Sequence, residues 1–250
     1  MTSTDLPLAG RIAVVTGASR GIGRASALAL ARAGAHVVAT ARTQGGLEEL
    51  DDEIRQATGA GATLVPMDLR EADGIDHLGG ALHQRFGRID VMVHAAAVLG
   101  ALTPVSHLEP NQWDQIVAAN LTAPYRLIRS FEPLLKAAPA GRAIFVTTGE
   151  GVYSRAFWGA YAATKSGMET LVRCWADEME HTKVRAVIVN PGKMRTRMRA
   201  EAYPGEDPAS LPDPSEIGPM MVELAAAEQA PAWVRVNFSD WKASSARAKA

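Results

Sequence analysis

Tyr161 and Lys165 stand four residues apart in YAATK, and Thr148 lies upstream of them in FVTTGEG. On a helix, positions i and i+4 share a face, so a phenol and an ammonium at this spacing meet. A free phenol titrates near ~10, too high for efficient proton transfer at neutral pH. A neighbouring ammonium favours the phenolate and lowers that value. The pair is therefore a candidate general acid/base. A hydroxyl at Thr148 both donates and accepts hydrogen bonds. The competing reading is an amphipathic helix that carries a tyrosine and a lysine incidentally.

A second group sits near the amino terminus. Residues 16–23 read T-G-A-S-R-G-I-G, with Gly17, Gly21 and Gly23 around Ser19, Arg20 and Ile22. Glycines let the chain turn sharply and let a phosphate approach the backbone. The helix that opens near Gly21 offers free N–H groups to a pyrophosphate. No G-K-[ST] follows, which disfavours a phosphoryl-transfer loop. The next apolar run ends HVVATAR, where an NAD site usually carries an acid for the ribose 2′-hydroxyl. Here Ala41 and Arg42 stand in that place. Arg20 and Arg42, with no acid nearby, suit a 2′-phosphate, so NADP(H) is expected as the preferred cofactor and NAD(H) as a possible one. Asp68 could accept a bond from the adenine amino group or cap the helix that follows.

These groups need a frame. Short apolar runs alternate with helical ones: strands at 11–16, 36–41, 63–67, 90–98 with its exit loop, 143–148, 184–190 and 233–238. Helical patterns cover 25–34, 46–58, 74–86, 111–136 (with a kink or break expected at Pro124), 158–182 and about 214–228. Continuous apolar strands, each followed by a helix, predict an α/β domain. Its core is a doubly wound, mostly parallel seven-stranded sheet with helices on both faces. No domain boundary or repeat interrupts residues 1–250. The proline- and acid-rich stretch 197–214 reads as a substrate flap, and 243–250 as a mobile tail.

Composition narrows the function classes. The 250 residues carry a net charge of −1, which gives no broad attraction to nucleic acid or anionic membrane. One cysteine, Cys174, leaves no intrachain disulfide or cysteine-based metal cluster, and reads as a small buried hydrophobe. Without a signal-peptide pattern or a long apolar span, a cytoplasmic location is the expectation.

Together these residues resemble the classical short-chain dehydrogenase/reductase family over about 8–230. The resemblance rests on the glycine loop, Asp68-Leu69, Asn120, Y-x-x-x-K at 161–165, and Pro191-Gly192 with Thr196. It implies a Rossmann fold and hydride transfer between a nicotinamide cofactor and a carbonyl or alcohol carbon of a small molecule. It assigns Lys165 to the nicotinamide ribose, Asn120 to a relay water, Ala95 to the cofactor wall and Thr196 to the carboxamide. It also implies a homodimer or homotetramer. The family usually has serine at 148; Gly151 matches the glycine of that motif and favours Thr148 over Thr147.

The family's N-N-A-G loop reads His94-Ala95-Ala96-Ala97 here. His94 either replaces a lost bracing bond or is a core histidine, the latter being favoured. Lys193, Arg195, Arg197 and Arg199 form either a solvated face or a contact to an acidic substrate group. Phe157, Trp158, Met194, Met198 and Met220 either line a pocket or fill the core. The rival reading is a catalytically weak or inactive dinucleotide-binding protein, acting as sensor or scaffold.

Overall fold

Seven strands make one sheet in the computed structural model, which describes residues 6–149, 155–227 and 233–247. They are β1 (Ile12–Thr16), β2 (His36–Ala41), β3 (Thr63–Pro66), β4 (Val91–His94), β5 (Arg142–Val146), β6 (Arg185–Asn190) and β7 (Trp233–Asn237). The order is β3-β2-β1-β4-β5-β6-β7, and every pairing is parallel. The strand order reverses between β1 and β4, the switch point at which such sheets bind ligands.

The helices are α1 (Gly21–Arg32), α2 (Gln44–Thr58), α3 (Ala72–Phe86), α4 (Pro110–Val117), α5 (Ala123–Ala137), α6 (Gly159–Glu178), α7 (Arg197–Ala202), α8 (Gly218–Ala226) and α9 (Phe238–Arg247). Alternate strand residues feed two cores. Ala13, Val15, Ile144 and Val146 pack with α1, α2 and α8. Val14, Ala143 and Phe145 pack with α3, α5 and α6 on the other face. Burial on both faces is why these strands read as unbroken apolar runs.

Four expectations change. The helix across 111–136 does not break at Pro124. Its ladder widens to a π turn over Ala118–Thr122, and Pro124 falls in the first turn of α5. Proline has no N–H to offer the Asn120 carbonyl four residues back, so the ladder must loosen there. The late helix begins as a 3₁₀ turn at Pro214–Ile217, closed by a capping box between Asp213 and Glu216.

Of the expected mobile tail 243–250, residues 243–247 end a helix, and 248–250 lie outside the described residues. Trp241 stacks on Phe238 and donates to Glu223, and Lys242 pairs with Glu216, so α9 is anchored to α8 and its entry turn. Cys174 is exposed, because α6 buries Met168, Val172, Trp175 and Ala176 on another face.

At the amino end of β5 the fully buried Arg142 donates to the carbonyls of Gly141, Lys183 and Ala227. It ties the end of α8 to the sheet. No helix among the described residues is long and apolar enough to cross a membrane.

Candidate active site

The carboxyl ends of the strands open onto one cavity of about 1290 Å³. A pocket for a single small molecule is typically ~300–1,000 Å³, so there is room for a dinucleotide and a substrate together. The sequence-predicted site residues all line it except Asn120.

At one end lies the glycine loop. Gly17 has φ +69, and a Cβ there would stand 2.8 Å from the Ala96 backbone. A Cβ on Gly23 would stand 2.2 Å from the Gly17 carbonyl oxygen. Helix α1 therefore sits against the turn at a distance only glycine permits. Its first turn holds no acid and no side-chain cap, which leaves the positive end of the helix open to an anion. Thr196 packs close to Gly21 and also caps α7, its Oγ1 accepting from the Arg199 N–H at 3.2 Å.

Arg20 and Arg42 are exposed, line the cavity, and make no ion pair among the described residues. Arg24, one turn into α1, is by contrast paired with Glu49 and Glu53. Asp68 accepts from the backbone and the guanidinium of Arg70, which holds its carboxyl below the usual range. It braces its own turn rather than capping α3, whose N-cap is Glu71.

At the other end, α6 presents Tyr161 and Lys165, both buried. The Tyr161 hydroxyl donates to Met198 Sδ at 3.8 Å, and its ring stands edge-on to Trp158 at 5.8 Å. Lys165 Nζ donates to the Val146 carbonyl at 2.9 Å. Burial pushes the Lys165 ammonium down to about 8, against the opposing pull of Glu169.

The two threonines after β5 both line the cavity and differ in their partners. Thr148 lines the cavity half-buried. Thr147 donates to the buried Glu169 at 2.5 Å. Gly151, on which the choice of Thr148 over Thr147 rested, lies outside the described residues. Glu169 also pairs with Arg235 of β7 at 3.3 Å, and Arg235 reaches the Thr148 carbonyl. Sequence reasoning missed this pair, although Glu169 is one turn beyond Lys165 and so readable as its i+4 neighbour.

Asn120 is fully buried and does not reach the cavity with its side chain. Its Oδ1 accepts from the Val98 N–H, and its Nδ2 donates to the Val98 carbonyl, both at 2.8 Å, and to Thr164 Oγ1 at 3.3 Å. It pins the loop after β4 to the turn of α6 beside Lys165.

His94 is buried, with Nδ1 2.9 Å from Thr16 Oγ1 and its ring against Phe145. Burial, and then the Lys165 charge, push it down to about 3, so it is neutral. It both replaces a cross-strand bond and belongs to the core.

The basic run 193–199 is largely neutralised by the segment that follows. Arg195 pairs with Asp213, Arg197 with Glu201, and Arg199 with Glu206 through two bonds. Of the pocket candidates, Trp158, Met194 and Met198 line the cavity. Met220 is core, and Phe157 is exposed at φ +73.

Comparison with known proteins agrees with this geometry. A family model described as short chain dehydrogenase matches residues 11–207. The "Uncharacterized oxidoreductase YciK" of Escherichia coli is 36% identical over 216 residues, 86% of this chain and 85% of the relative. A short chain dehydrogenase from Salmonella enterica serovar Typhi superposes with a TM-score of 0.89 at 32% identity, covering 93% of this chain and 97% of its own. A Shigella flexneri protein solved in complex with NADP has a TM-score of 0.88 at 34% identity, covering 93% and 98%. Fold, glycine loop and Tyr161/Lys165 pair thus coincide with a family match over most of the sequence, and the chain belongs to the short-chain dehydrogenase family of oxidoreductases.

Proposed function

We propose that the protein is an NADP(H)-dependent oxidoreductase that interconverts a carbonyl and an alcohol, with Tyr161 as general acid/base. The observation that carries this reading is one cavity with Tyr161, Lys165 and Thr148 at one end and the glycine loop with Arg20 and Arg42 at the other. The residues fit the cofactor: a glycine-tight turn, a helix amino end without acids, and two guanidinium groups outside any ion pair among the described residues. Gly17 to Gly23 would hold the pyrophosphate, Arg20 and Arg42 the 2′-phosphate, Asp68 and Leu69 the adenine. Ala95, Pro191, Gly192 and Thr196 would wall the nicotinamide half.

When bound, NADPH supplies the hydride. Thr148 then orients the substrate oxygen, and Tyr161 gives it a proton. Lys165, charged at neutral pH, stabilises the phenolate left behind. Asn120 acts by fixing the Val98 loop and Thr164, rather than by offering its side chain to a relay water. The 197–214 segment serves as the substrate flap. Exposed Tyr125 and Cys174 on α5 and α6 suit a homodimer or homotetramer contact there, and the cytoplasm suits a reductase with one thiol.

The test is a fluorescence titration with NADPH and NADH, with light scattering of the same sample for its mass. NADPH is expected to bind the more tightly. Arg42→Ala is expected to shrink that preference roughly 10- to 100-fold, the range for hydrogen bonds to a charged group. A preference for NADH would overturn the assignment of Arg20 and Arg42.

A further inference from the structure

The substrate end of the cavity has a particular chemical character. Around Tyr161 it is apolar: Leu99 and Trp158 pack with it, and Met198, Ala202 and Tyr203 close the cluster. The rim above carries four arginines. Arg195, Arg197 and Arg199 each have a carboxylate partner within the flap. Arg155 has none among the described residues. Its Nη1 donates at 2.5 Å to the hydroxyl of Tyr203, a neutral oxygen, and its guanidinium stands 5.4 Å from that ring.

Tyr203 is itself fixed. Arg199 lies over its ring at 3.6 Å, and Trp158 packs against it at 5.9 Å. Arg155 is therefore a positioned cation at the mouth of the pocket, with none of its five N–H donors paired to a carboxylate among the described residues. A guanidinium fork held in place matches a carboxylate in geometry and charge.

We propose that the substrate carries an anionic end, and that Arg155 is the residue that selects it: the substrate is an aldehyde or ketone with an apolar body and a carboxylate. The apolar cluster around Tyr161 takes the body, and the cation at the rim takes the charge. This rests on the oxidoreductase reading above, so the test separates the two.

The probes are 4-carboxybenzaldehyde and its methyl ester, which differ in charge at the end remote from the aldehyde. Their binding is measured by fluorescence on protein saturated with NADP⁺, where no reduction occurs whatever the role of Tyr161. The acid is expected to bind at least about 10-fold more tightly than the ester, and Arg155→Ala to reduce that ratio by roughly 10- to 100-fold. Arg155→Lys should recover part of it. Tyr203→Phe, which removes the phenol oxygen and keeps the cation, should retain a preference for the acid. A merely structural Arg155 would weaken acid and ester alike and leave the ratio in place.

Equal binding of the two probes, a ratio that survives Arg155→Ala, or binding of neither would each overturn the proposal. Adding NADPH to the same protein reads the other question. An acid that binds selectively but is not reduced would count against the oxidoreductase reading and in favour of the anion site.

Discussion

Tyr161→Phe is expected to lower kcat by roughly 10²- to 10⁴-fold, the range for losing a positioned general acid/base, while NADPH still binds. The substitution removes one oxygen. The ring stays where it is, buried against Trp158. Among the contacts of the hydroxyl is Met198 Sδ at 3.8 Å, a weak acceptor. The fold is therefore expected to keep its melting temperature within a few degrees, and a drop in turnover reports chemistry. Steady-state NADPH oxidation and a cofactor titration on the same preparation check it. A kcat within a few-fold of the unaltered protein would remove Tyr161 from the mechanism and return the inactive dinucleotide-binding reading.

A second large effect is expected from Glu169→Leu, through stability rather than chemistry. The carboxylate is buried between Thr147 and Arg235, with side chains 5% and 25% exposed for Glu169 and Arg235. Removing it leaves a hydroxyl and a largely buried guanidinium without their carboxylate. Breaking a fully buried pair costs ~3–5 kcal/mol. Solvent reaches Arg235, so the low end, about 3 kcal/mol, applies. In a chain of this size that lowers Tm by roughly 6–12 °C.

Lys165 gives the effect a pH signature. Its folded value of about 8 lies below the ordinary 10.5, so the folded protein binds fewer protons than the unfolded chain between those values. The burial penalty is full below pH 8 and is relieved as pH rises through that window. Glu169 opposes the shift, so its loss should extend the window downward and make the variant's deficit larger at pH 7 than at pH 9. Thermal melts at the two pH values decide. A Tm within about 2 °C of the unaltered protein at both would show that the pair carries no stability.

Local pattern makes part of this legible. Seven apolar runs read as strands because both faces of the sheet are covered, and Tyr161 and Lys165 are neighbours by helical spacing alone. The glycine loop is readable because the close approach of α1 to the turn leaves no room for a side chain. What escapes depends on partners far along the chain. Nothing near Asn120 says that its amide is taken up by Val98 and Thr164. Nothing near Arg199 names Glu206 as its partner rather than a ligand. Cys174 escapes for another reason: periodicity identifies a buried stripe but not, for a small thiol at its margin, which side of the edge it falls on.

Arg235 belongs to β7, the strand at the margin of the sheet, paired on one side only with β6. Edge elements open locally at lower free energy than central ones. When β7 detaches on heating, Arg235 leaves Glu169 and the Thr148 carbonyl, and the loop after β5 slackens while β1, β4 and β5 remain folded. Heat inactivation should then run ahead of the calorimetric transition, and β7 amides should exchange before those of β1. The working life of the enzyme when warmed is set at the rim of its sheet, and the survival of the fold at its centre.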